Sequence, residues 1–119
     1  MLAFPSSIQA FLCLQPTDLR KSFDSLAALT VSVIRENPLS GHLFVFLNRD
    51  RNRAKVLFWD RTGYCLYYKR LEAGTFILPV RPGCDVSAAI SLPDLMLILE
   101  GIDLSGARRR KRFSLEKAS

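Results

Sequence analysis

The chain is poor in the residues that usually announce chemistry. It has one histidine, His42, and one tryptophan in 119 residues. Its three cysteines, Cys13, Cys65 and Cys84, are far apart and form no CxxC pair. A zinc site needs about four suitably spaced ligands, so no metal or other cofactor is expected, and the thiols are read as reduced and mostly buried. There is no GxSxG elbow and no Walker loop, which removes the common nucleophile and nucleotide signatures. No apolar run approaches the roughly 18 residues of a membrane span. The apolar start, Met1 to Leu14, lacks a basic leader and a small-residue cleavage site, so no signal peptide and a cytoplasmic location are expected.

What the chain does have is apolar content and positive charge. Hydrophobic residues make up 49%, enough for one domain with a real core. The net charge of +6 is unevenly spread. Residues 1–48 balance at three bases and three acids, whereas 49–81 carry eight bases against three acids. Residues 82–107 hold four acids and no base, and 108–119 hold six bases and one acid. Two basic blocks separated by an acidic one suggest an electrostatic footprint for a polyanion.

Periodicity outlines the fold. Ile8 to Leu14 reads as a strand between Pro5 and Pro16. Thr17 offers an N-cap, and Leu19, Phe23, Leu26, Ala27, Thr30, Val33 and Ile34 make one helical stripe. Asn37-Pro38 stops it, and "NPLSG" is a turn. The period then becomes two: "HLFVFL", "AKVLFW", "GYCLYYK" and "GTFILP" read as consecutive strands. "NRDRNR" and "DRTG" join the first three, with Gly63 suited to a positive φ in the tighter turn. "SLPDLMLILEGI" reads as a second helix, capped by Ser91 and closed at Gly101. The expectation is one α+β domain over residues 1–105: a four- to five-stranded antiparallel meander with two helices. A basic, flexible tail over 106–119 follows.

Three blocks, "PTDLRKSFDSLAAL", "LSGHLFVFLNRDRNRAKVLFWDRTGYCLYYKRLEAGTF" and "LMLILEGID", occur in this order. Together they resemble the small accessory protein encoded by the second reading frame of IS66-type insertion sequences, sometimes labelled TnpB. The resemblance covers about residues 5–104 and leaves out the basic tail. It implies a role in transposition of a bacterial mobile element, in the cytoplasm or at the nucleoid, with the element's larger transposase doing the cutting and joining.

No catalytic constellation stands out. Two-metal cleavage needs clustered carboxylates. Asp18 and Asp94 read as acids in helix first turns, Asp24 as a residue on the polar face of the first helix, Asp60 as a turn residue, and Asp50 as a neighbour of arginines. His42 reads as a turn-edge residue. The chain is therefore read as a non-enzyme.

The binding reading rests on charge. Arg49, Arg51 and Arg53 fall in a hairpin loop, with Lys55, Arg61, Lys69 and Arg70 nearby, and Arg108, Arg109, Arg110, Lys111 and Arg112 in the tail. Such a loop could lie along phosphates. Arg20 and Lys21 fall in the expected first helical turn, where cations are disfavoured unless an anion docks. The rings of the strands have three open readings: core, which expects Trp59 and Tyr67 to be largely buried, a stacking platform for single-stranded nucleic acid, or a protein interface, as a homodimer or toward the transposase. The expected partners are thus DNA at the element's ends, the transposase, and a second copy, with no membrane. The alternative function is a module that recruits or stabilises the transposase without touching DNA.

Overall fold

The computed structural model describes residues 7–78, 85–103 and 108–109, with 102–103 and 108–109 described as backbone only. Strand β1 (Gln9–Cys13) leads into helix α1 (Phe23–Leu29), which continues as a π-helical turn over Thr30–Ile34. Strands β2 (Leu43–Leu47), β3 (Arg53–Trp59) and β4 (Tyr64–Arg70) follow. Then come β5 (Ser87–Ser91), α2 (Leu92–Glu100), and a two-residue pairing of β6 (Ile102–Asp103) with β7 (Arg108–Arg109).

The five main strands form one sheet in the order β4-β3-β2-β1-β5. The hairpins β2–β3 and β3–β4 are antiparallel, as the alternating sequence predicts. The sheet as a whole is mixed, which corrects the expected antiparallel meander. β1 runs parallel to β2, with Ala10 opposite Leu43, and antiparallel to β5, with Gln9 opposite Ser91. A parallel pair needs a crossover of a dozen residues or more, and α1 supplies it between β1 and β2.

Both sheet faces are apolar, and each receives a helix. Leu43, Val45 and Leu47 of β2, with Ala54, Val56 and Phe58 of β3, pack in one cluster with Leu95, Ile98 and Leu99 of α2. Phe44, Phe46 and Leu57 point the other way and pack with Leu19, Leu26 and Ile34. β2 is buried at all five positions, as a central strand covered on both faces should be.

Three local expectations change. "GTFILP" is not a strand: residues 75–78 are irregular, and Phe76 plugs into the α2-side core while its N–H donates to the Arg51 carbonyl at 2.7 Å. The fifth place in the sheet goes instead to "SAAIS", whose small residues give a weak strand signal. The first helix starts at Phe23, with Ser22 at the N-cap position, not after Thr17. Thr17 is buried and its N–H donates to the Leu47 carbonyl at 2.8 Å. Leu19 therefore reaches the core from a non-helical segment, the helical phase does not extend back to it, and Phe23 lies 43% exposed rather than in the core. In the Asp60–Gly63 turn the positive φ of 88° falls on Arg61, not on Gly63. Asp60 organises that turn, its carboxylate accepting from the N–H groups of Thr62 and Gly63.

The second helix agrees with expectation. Ser91 Oγ accepts from the Asp94 N–H at 3.2 Å, a proline occupies the first turn, and Gly101 closes the helix at φ 82°.

Candidate nucleic-acid interface

The β2–β3 loop is pinned by one side chain. Asn48 Oδ1 accepts from the N–H groups of Asn52 and Arg53, each at 3.0 Å, and its amide donates to Asn52 Oδ1. The Asn48 carbonyl accepts from the Arg51 N–H at 3.1 Å, and Arg51 sits at φ 54°. Two asparagines thus substitute for missing ladder bonds, and the left-handed residue turns the chain sharply. On this frame Arg49, Arg51 and Arg53 are all exposed. The guanidiniums of Arg49 and Arg51 form no hydrogen bond or ion pair within the described residues.

Facing the loop is the segment from Pro16 to Arg20. Between them lies an open cleft of about 550 Å³, whose walls include Asp18, Arg20, Arg49, Asn52, Arg53 and Tyr68. Arg53 Nη1 donates to the Tyr68 hydroxyl at 3.3 Å, so one wall joins cation to ring. Register also sets Arg53 directly opposite Arg70. Like charges in direct opposition are unfavourable. Arg70 is partly neutralised by Glu72 at 2.7 Å, while Arg53 has only the neutral phenol.

Arg20 and Lys21 precede the helix, which corrects their expected place in its first turn. Arg20 instead closes a tight loop on Asp18 through Nε and Nη2. That hydrogen bonding is the main reason the Asp18 carboxyl is held down at about 2, against an ordinary 3.8. Asp60, at the far end of β3, is likewise held below the ordinary carboxylate range, chiefly by the Thr62 N–H.

The remaining cations separate by position. Lys55 is buried: its ammonium donates to the Lys21 carbonyl at 2.7 Å and lies 4.9 Å from the centre of the Tyr68 ring. Lys69 is half-buried and donates to the Leu99 carbonyl at 2.6 Å, at the C-terminal end of α2 where a cation is favoured. Both ammonium groups therefore tie elements of the fold together. Arg61 sits at the opposite end of β3 from the 48–53 loop and does not join the cleft. Arg108 and Arg109 form β7, and Arg110, Lys111 and Arg112 lie outside the described residues. So the structure gathers Arg20, Arg49 and Arg53 at one cleft; Lys21 follows Arg20 in sequence, Arg70 lies opposite Arg53 in the sheet, and Arg51 lines a separate small cavity with Cys13, Pro16 and Leu78. Asn48 and Tyr68 are the residues that charge counting alone missed.

The rings divide too. Phe44, Phe46 and Phe58 are core, Trp59 is half-buried against Tyr64, and Tyr67 is 44% exposed although burial is the expectation for both Trp59 and Tyr67. β4 is an edge strand, so its side chains have sheet neighbours on one flank only. His42 Nδ1 accepts from the Gln9 N–H at 3.0 Å and its ring meets Phe11 edge-on, a structural bridge between strands. Cys13 is buried; Cys65 donates to Asp60 and has its pKa raised, first by desolvation and then by that bond; Cys84 lies outside the described residues. Among the described residues no group of three or more histidine, cysteine or acidic side chains could hold a metal ion, and no helix is long and apolar enough to cross a membrane.

An α+β protein with a helix on each face of a mixed sheet and, at one end, a cleft lined by three arginines and two aspartates, Asp18 and Asp50, is the class that these observations define. The chain belongs to the IS66 Orf2-like protein family, whose model matches residues 8–109, and it is thereby a transposition-associated accessory protein of an insertion sequence. Two proteins of Sinorhizobium fredii are similar to it. Uncharacterized protein y4hO is 39% identical over 87% of this chain and 88% of its own length. Uncharacterized protein y4jC is 30% identical over 92% of each. No solved structure matches significantly.

Proposed function

We propose that this accessory protein is non-catalytic and binds DNA, taking the phosphate backbone into the cleft between Pro16–Arg20 and the β2–β3 loop. The observation that carries this reading is the pair of guanidiniums, Arg49 and Arg51, held out on a loop that Asn48 fixes, with no acid engaging them among the described residues. A phosphate between Arg53 and Arg70 would also relieve their opposition. Lys21 adds charge nearby, and Arg20 would support the contact once phosphate competes with Asp18 for its guanidinium. The tail bases from Arg108 to Arg112 add affinity without sequence preference, because phosphate contacts carry no base information.

Each phosphate contact steepens the dependence of log K on log salt by about 0.9 for duplex DNA. Replacing Arg49, Arg51 and Arg53 together with glutamine should flatten the slope by about 2–3 units, read by fluorescence anisotropy on element-end and random DNA. Deleting residues 107–119 should flatten it on both DNAs equally. An intact protein that binds neither DNA at low salt overturns the proposal. If the loop variant then also loses transposase in a pull-down, the loop serves a protein contact instead.

A further inference from the structure

Among the described residues no strand pairs with the outer edge of β4; that edge is self-complementary, and we infer that the protein forms a two-fold dimer by antiparallel pairing of β4 with β4 of a second copy, centred on Tyr67. This does not depend on DNA binding.

The inference starts from hydrogen-bond phase. The β3–β4 ladder is bracketed by two bonds, Asp60 N–H to the Gly63 carbonyl and Leu71 N–H to the Asn52 carbonyl. Bonded pairs alternate along an antiparallel ladder. Cys65, Tyr67 and Lys69 therefore bond inward to Phe58, Val56 and Ala54. The backbone groups of Tyr64, Leu66, Tyr68 and Arg70 point outward, and β4 is an outermost strand of the sheet. Edge strands are normally protected by prolines, bulges or charges. β4 runs seven residues without proline, and its register with β3 is unbroken. The Lys69 ammonium is turned onto the Leu99 carbonyl, leaving Arg70, at the strand's end, as the one charged residue among the four outward-bonding positions.

A second copy can use the same four positions. Pairing about Tyr67 sets Tyr64 opposite the partner's Arg70 and Leu66 opposite the partner's Tyr68. All four outward residues then meet outward residues, so the full strand pairs. The register keeps cations apart: Arg70 faces a tyrosine ring and Lys69 faces Cys65, with no like charges opposed. Cation-to-ring contact is favourable. The two Tyr67 residues form the central, non-bonded pair. They rise on the face that carries α2, beside an apolar groove of about 410 Å³ that includes Leu95, Met96 and Leu99. Tyr67 and Met96 are exposed here, at 44% and 36%, and the second copy covers them. A single ribbon with one apolar patch falls at the small end of specific interfaces, so the dimer is reversible.

The test is a thiol at the axis. Opposed non-bonded residues have Cα atoms about 4.5 Å apart, within disulfide range. In a Cys65→Ser, Cys84→Ser background, Tyr67→Cys should cross-link into a covalent dimer under mild oxidation, and Leu66→Cys should not. Sedimentation of the unmodified chain should show a concentration-dependent rise toward twice the 13.4 kDa chain mass. Tyr67→Glu, which sets two carboxylates face to face but leaves a solvated monomer, should abolish that rise with an unchanged circular dichroism spectrum. A monomer at every concentration overturns the proposal. So does a dimer that persists in Tyr67→Glu, or one in which Tyr67→Cys fails to cross-link.

Discussion

Replacing Lys55 with methionine should destabilise the protein without changing the salt dependence of DNA binding. The methionine keeps the aliphatic stem and removes the ammonium, which is 2.7 Å from the Lys21 carbonyl and 4.9 Å from the Tyr68 ring centre. A hydrogen bond from a charged donor contributes roughly 1.5–3 kcal/mol. A cation over a ring adds roughly 0.5–1 kcal/mol, with more when desolvated. Relief from burying a charge offsets part of this, because Lys55 is only 7% exposed. The net expectation is a loss of about 1–3 kcal/mol, since the Lys21 carbonyl also loses its partner. For a domain of this size that lowers Tm by about 5–10 °C. Differential scanning fluorimetry measures the shift, and anisotropy at several salt concentrations measures the slope. A Tm unchanged within about 1 °C would refute the structural role. A slope flattened by about 0.9 would mean that Lys55 touches phosphate after all.

Four other outcomes are expected. Asp18→Asn should free Arg20 for phosphate, so DNA binding should tighten and its salt slope should steepen by up to about 0.9. In an NMR titration the Asp18 carboxyl should show its midpoint at about 2, returning toward 3.8 in Arg20→Gln. Because the folded pKa is depressed, the pair's contribution is full above the ordinary value and is lost as pH falls through about 2. Phe23→Ala should cost under about 1 kcal/mol in a denaturant titration, as exposed positions do, whereas Leu26→Ala, fully buried, should cost about 2–5 kcal/mol. Purified protein with magnesium or manganese should neither cut nor join DNA; cleavage abolished by Asp24→Asn or Asp60→Asn would overturn the non-catalytic reading.

Much of the local structure was legible because it is written in short-range chemistry. The two-residue period of "LFVFL" and "AKVLFW" specifies strands whatever surrounds them. Apolar residues at every position of β2 already required cover on both faces. Ser91 and Gly101 mark the second helix by their own capping chemistry. The arginines crowded in one loop could be counted from the sequence, though not which of them line the cleft, and the three ordered sequence blocks pointed to the family.

What tertiary structure decided is which groups meet. Periodicity carries no information about whether a helix returns the chain parallel or antiparallel to a strand, so the β1–β2 pairing and the insertion of "SAAIS" beside β1 emerged only from the assembled sheet. The stripe through Leu19 and Phe23 assumed one unbroken helix; the chain breaks between them, and the two residues part company. The same holds for the cations. Sequence counts Lys55, Lys69 and Arg49 as equal positive charges, because charge is a property of the residue. Only the fold sets a carbonyl against each lysine and leaves Arg49 facing solvent. Availability to a partner depends on what lies within hydrogen-bond reach, and long-range packing determines that.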